Sequence, residues 1–197
     1  MNRDNVAYYP RKLSRERGNW CIREVRSPAE IGAATDTLVQ LHRMRGAAGV
    51  GVRHNSHIAN NEQAAFLRCW FRRAAERDQI AILLLEVDGQ VVAAQAFLEI
   101  RGCVAVYYSG FDERVYRYSP LTVIIAEAIR LAIERGASRV EFPPTITAWK
   151  SRWGTLEHRA IAETSLYSIR KRALARGLLR RLYFRVVPRS VCLNSGD

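Results

Sequence analysis

Apolar residues crowd the middle of the chain and change period several times along it. IAILLLEV (80–87) is almost unbroken in its apolar character, and QVVAAQAFLEI (90–100) follows after Asp88-Gly89. Two strand-like runs joined by Asp-Gly predict a hairpin with a two-residue turn. Arg101-Gly102 turns the chain again into CVAVYYSGF (103–111), so a three-stranded meander is expected. Upstream, WCIREV (20–25) alternates as a strand does. Ser27-Pro28 with Glu30 reads as a helix start, and Ile31, Ala34, Leu38 and Leu41 carry the helix to about Met44. A second helix is expected from about Glu62 to Arg77, burying Phe66, Trp70 and Phe71.

Between these helices lies RGAAGVGVRHNSHIANN, which reads as loop. No strand feeds Gly46, Gly49 or Gly51, so the loop is not read as a phosphate cradle; it shapes a substrate entrance or is simply flexible. After the meander, Ser119-Pro120 opens an apolar helix that stops at Gly136, and Arg139 to Phe142 reads as a short strand. A Pro-rich bend, an alternating stretch AIAETSLYSI and a basic amphipathic segment RKRALARGLLRRLYFRV complete the pattern. Residues 1–17 read as a loose polar lead-in, 18–187 as one domain and 188–197 as a flexible tail.

Charge changes this picture more than composition does. The 197 residues carry a formal net charge of +12, which favours polyanionic ligands: a phosphorylated cofactor, an acidic carrier protein, nucleic acid or an anionic membrane face. The plainer reading is a solvated basic surface, since the arginines are spread over the whole chain. Cys21, Cys69, Cys103 and Cys192 lack metal-ligand or redox spacing, so reduced thiols and a cytoplasmic location are expected. The start has no signal-like apolar run, and no stretch has the length of a membrane span. Segment 170–186 can lie on an anionic membrane face, which would put the protein at the periphery of the inner membrane, or can pack as a terminal helix.

The chemistry concentrates between Cys103 and Thr155. A strand ending at Tyr107-Tyr108-Ser109-Gly110-Phe111 leads through Arg114, Arg117 and Tyr118 to Ser119, Pro120, Leu121 and Thr122. Strand, loop and helix N-terminus in that order offer backbone N–H groups and a helix dipole to an anion. Ser119 is the expected cap, Pro120 the first helical residue, and the two arginines can bond phosphate oxygens. Two further clusters are EFPPTITAWKSRW (141–153) and Leu41-His42-Arg43-Met44-Arg45. His42 is the side-chain type best suited to base work near neutrality, and His54 and His57 follow in the loop. No metal cluster, nucleophile triad or Walker loop is legible.

These residues, in this order, resemble the acyl-transfer domain of the GNAT superfamily. The likeness covers roughly residues 20 to 170 and is strongest from 80 to 155. Its nearest branch is the one associated with cellulose and exopolysaccharide synthesis, itself similar to FemAB-type peptidyltransferases. The resemblance implies an α/β GNAT fold, with a central mixed, mostly antiparallel sheet flanked by helices. It implies a coenzyme A thioester, or the phosphopantetheine of an acyl-carrier protein, as acyl donor, and no metal. Tyr107, Tyr108, Ser109, Gly110, Arg114, Arg117, Ser119, Leu121 and Thr122 would bind that donor. Glu141, Lys150 and His42 would be catalytic, with Arg45, Glu99, Trp149 and Arg152 lining the acceptor site. Glu141, His42 and Glu99 all compete for the role of base. The acceptor would be a small molecule or a peptide, attacked through an amine or hydroxyl, and the chain stands alone or pairs as a homodimer. Leu121 replaces a glycine of the branch, and Pro143-Pro144-Thr145 replaces its Gly-containing stretch. Two alternatives stay open: FemAB-like transfer from aminoacyl-tRNA, and a non-catalytic binding module that has lost its cofactor.

Overall fold

A computed structural model describes residues 3–48, 58, 60–143, 150 and 153, all within one compact unit spanning Met1–Leu156. The amphipathic segment 170–186 and the alternating stretch before it lie outside the described residues. Element order is α1 (Arg3–Arg17), β1 (Trp20–Val25), α2 (Ile31–Ala47), α3 (Asn61–Ala75), β2 (Ile80–Val87), β3 (Gln90–Ile100), β4 (Cys103–Phe111), a 3-10 turn (Glu113–Tyr118), α4 (Pro120–Glu134) and β5 (Arg139–Glu141).

The five described strands form one sheet in sequence order, β1 to β5. Every neighbouring pair is antiparallel except β4 with β5, which run parallel. The expected mixed, mostly antiparallel sheet flanked by helices is therefore present. Both meander turns have positive φ at both central residues: Asp88 at 52° with Gly89 at 75°, and Arg101 at 50° with Gly102 at 71°. That geometry matches the right-handed twist of the flanking strands, which is why Asp-Gly and Arg-Gly serve here.

Two apolar layers cover the sheet. On one face, Phe97, Val104, Val106 and Phe111 pack with Val123, Ile124 and Ala128 of α4 and Leu13 of α1. On the other, Ile80, Ile82, Leu84, Ala94 and Ala96 pack with Leu38 and Leu41 of α2 and Leu67 and Phe71 of α3. The strands alternate between these layers, so β2 is apolar on both sides and reads as an unbroken run. Among the described residues no helix is long and apolar enough to cross a membrane.

Several expected boundaries shift. The expected loose lead-in over 1–17 is instead helical over its described part, Arg3–Arg17: α1 runs through Pro10, and Leu13 is fully buried against the sheet. Pro10 removes one helical N–H, but the burial of Leu13 and the bond from Trp20 Nε1 to Ser14 Oγ at 2.8 Å hold the helix in place. Ser27 opens a turn instead of capping α2 directly; its carbonyl takes the N–H of both Glu30 and Ile31. Helix α3 begins on a capping box between Asn60 and Gln63, and its Phe66 points to solvent at 67% exposure, not into the core. Strand β5 ends at Glu141, one residue short of Phe142.

Candidate functional site

The site begins with an irregularity in β4. Gln95 of β3 faces Ser109, but two residues further on Phe97 faces Val106, so Tyr107 and Tyr108 together oppose Ala96. This β-bulge bends β4 and lets both tyrosines emerge on the α2–α3 face, with their rings 4.5 Å apart. Gln95 is buried, and its amide donates to the carbonyls of Tyr107 (3.0 Å) and Tyr108 (3.1 Å) that the bulge has disturbed. The sequence reading missed Gln95. A lone amide in VVAAQAF was the available signal, because a buried polar group requires a partner.

Beyond the bulge the sheet opens. Among the described residues β5 pairs with β4 only from Cys103 to Ala105, and none of them forms a ladder with Val106 to Phe111 on that side. The Asp112 N–H bonds Val92 O at 2.9 Å. Counting back along that register, Ala94–Gly110 is a hydrogen-bonded pair, whereas Ala93–Phe111 and Gln95–Ser109 are open pairs. Ser109 and Phe111 therefore aim N–H and C=O away from β3, into the gap where β5 would have continued.

Helix α2 closes onto this edge. A β-carbon on Gly110 would come within 2.2 Å of the His42 backbone nitrogen and 2.3 Å of Leu41 C, so only glycine allows the approach. His42 is buried, and its Nδ1 lies 2.7 Å from Ser109 O. A carbonyl only accepts, so Nδ1 carries the hydrogen, which in the neutral ring puts the lone pair on Nε2. One turn later, Arg45 donates from Nη1 to Ser109 Oγ at 2.7 Å and rests its guanidinium 5.3 Å from the Phe111 ring centre. Burial pushes the Arg45 guanidinium down from its ordinary value. His42 also meets Tyr108 edge-on, and Tyr107 meets Trp70 of α3. Burial, with Tyr108 beside it, pushes the Tyr107 phenol up to about 12.

The other expected site residues divide by face. Glu141 ends β5 where the gap begins, in register with Ala105, and pairs with Arg139 at 2.7 Å. It shares the α2–α3 face with Cys103 and Tyr107, because Val104 and Val106 fill the opposite face. Glu99 stands opposite Val104 and joins Arg26 and Arg135 in an ion-pair cluster on the α4 side, away from His42. Lys150 is buried, and its Nζ donates to Pro143 O at 2.6 Å, clasping the chain just beyond β5; burial lowers its ammonium pKa. Trp149 and Arg152 lie outside the described residues, as do His54 and His57.

The start of α4 differs from expectation. Ser119 makes no side-chain cap bond and takes a left-handed conformation with φ 47°. Its carbonyl receives the N–H groups of Thr122 and Val123, and Pro120 has none, so the first turn presents the Leu121 N–H. Leu121 itself packs on the α4-side core. Arg114 forks onto the buried Asp112, holding that carboxyl below its ordinary value, and Arg117 pairs with Glu16 of α1 at 3.0 Å.

A mixed sheet that parts between its two parallel strands, with one helix layer over each face, defines the architecture of GNAT acyl-transfer domains. The family model described as acetyltransferase (GNAT) domain matches residues 2–151, and the chain belongs to that family. No curated protein matches the sequence. Among solved structures, an aminoglycoside acetyltransferase from an uncultured soil metagenomic sample is similar at 17% identity and TM-score 0.53, over 75% of this chain and 99% of that one. A possible acetyltransferase from Clostridium difficile 630 gives 10% identity and TM-score 0.55, over 76% and 99%. One from Clostridium acetobutylicum, described with acetyl-CoA, gives 12% and 0.51, over 75% and 96%. At these identities the likeness is one of fold.

Proposed function

We propose that the protein is an acyltransferase that moves an acyl group from a coenzyme A thioester to an amine or hydroxyl acceptor. The observation that carries this reading is the opened edge of β4. The Ser109 N–H and the Phe111 N–H and C=O turn into a gap flanked by β5, with the Ser109 C=O held by His42, and an amide-bearing pantetheine arm suits such an edge as an added strand would. The acetyl-CoA described with the Clostridium acetobutylicum neighbour supports the same donor. When bound, the thioester supplies an activated acyl carbon and a thiolate leaving group.

The residues of this chain then have separable tasks. His42 takes the proton that the acceptor loses as its nitrogen or oxygen bonds the acyl carbon and the C–S bond breaks. The Nδ1–H bond to Ser109 O fixes the imidazole tautomer, so that Nε2 is the basic nitrogen. The outward N–H groups of β4 hold the acyl oxygen as negative charge develops on it. Tyr107 keeps its proton through the neutral range and acts as a hydrogen-bond donor, not as a base. Glu141, on the same face at the mouth of the gap, orients the acceptor.

The test is a melting curve with acetyl-CoA, combined with thiol release in the presence of amines and alcohols. A ligand at about 100 times its Kd adds about 2.7 kcal/mol of stability. Thiol release should depend on acceptor, and His42→Ala should slow it by about 100-fold or more. No melting shift and no thiol release with any acceptor would overturn the donor and the reaction together.

A further inference from the structure

We infer that Arg45, carried by α2, binds a phosphate of the acyl donor, in place of the arginines on the loop before α4. The inference rests on the coenzyme A reading above. Three arginines stand near the C-terminal end of β4, and two are already committed. Arg114 is forked onto Asp112, which is 5% exposed and also caps the 3-10 turn by accepting the Arg114 backbone N–H. Drawing Arg114 away would leave a buried carboxylate without its cation. Arg117 bonds both Glu16 and the Tyr118 hydroxyl. Arg45 differs: among the described residues it has no carboxylate within ion-pair distance. Its one hydrogen bond among them goes to a neutral hydroxyl, and its flat face lies on Phe111. A half-buried guanidinium supported by an aromatic ring has lost water without gaining an anion, which an incoming oxyanion would supply. One of its five N–H donors is used by Ser109.

The sheet's alternation says which ligand that anion belongs to. Gly110 faces α2, so Ser109 and Phe111 face the α4 layer, and Phe111 is part of that core. By contacting both side chains, Arg45 reaches past the β4 edge from the α2 face to the α4 face. His42, Tyr107, Tyr108 and Glu141 stay on the α2–α3 side. An acceptor carboxylate would approach from their side. A donor arm lying along the edge would carry its phosphates toward the α4 side, where the helix start adds the Leu121 N–H.

The test compares coenzyme A with pantetheine, which lacks phosphate, by calorimetric titration of the full chain. Arg45→Gln should weaken coenzyme A by about 10- to 100-fold and leave pantetheine unchanged. If Arg45→Gln does not fold, Arg45→Lys is read instead, with a smaller loss of about 10-fold that is again confined to coenzyme A. Unchanged coenzyme A affinity in a folded variant overturns the inference. So does an equal loss for both ligands, which would make Arg45 a prop of the strand edge. Wild-type protein that binds neither ligand overturns the donor reading itself, and is told apart by failing before any substitution.

Discussion

Gly110 leaves no space for a side chain, and the obstruction is backbone on the facing helix, which cannot swing aside. Gly110→Ala should therefore cost about 3 kcal/mol, measured by urea unfolding, because α2 must lift away from β4. Nearby, Asp112 gives a pH signature. Arg114 holds its carboxyl below the ordinary carboxylate value, and its own burial opposes this only in part. Its stabilising contribution is fully present above the unfolded value, about 3.9, and is lost as pH falls through the lower folded value. The stability gap between wild type and Asp112→Asn should thus be constant near neutrality and close below about pH 4. A gap that persisted in acid would mean the charge of Asp112 contributes nothing.

Within β4, one extra residue decides the site. The bulge turns Tyr107 and Tyr108 to the same face and shifts Ser109 and Phe111 to the other. Gln95→Leu keeps volume but strips two carbonyls of their donor. It should cost about 1–3 kcal/mol and weaken donor binding with it, read from paired unfolding and titration curves. The meander and its turns were legible because Asp-Gly and apolar runs are local signals. The bulge was not, because it depends on how β4 registers with β3, and nothing in CVAVYYSGF marks the offset. Ser119 misled for a related reason. Ser-Pro reads as a cap, yet the preceding 3-10 turn delivers Ser119 with left-handed backbone, and its hydroxyl does not bond the helix. Helix α1 was read as loose because Pro10 and a polar surround hide its one fully buried described position, Leu13. His42 and Arg45 were found from residue type and resemblance, but which face each serves required the sheet.

At the scale of the molecule, charge and fold act separately. A net charge of +12 does not specify a fold, but it raises the encounter rate with an anionic donor. Raising ionic strength from about 0.01 to about 0.15 M shortens the screening length from about 30 to about 8 Å. Coenzyme A association, followed by stopped-flow, should slow over that range while pantetheine association stays level. Equal slowing of both would point to a salt effect on the protein itself.

Ser109 is gripped twice by one helix, through its carbonyl by His42 and through its hydroxyl by Arg45, with Gly110 welded beneath. The two halves of the proposed reaction would thereby be geared together. Whatever shifts α2 along the sheet moves His42 and Arg45, the proposed proton acceptor and proposed anchoring cation, by the same stroke. In the proposed reaction, a ligand seated on one side therefore sets the alignment offered to the other, and order of addition becomes a property written into a single turn of α2.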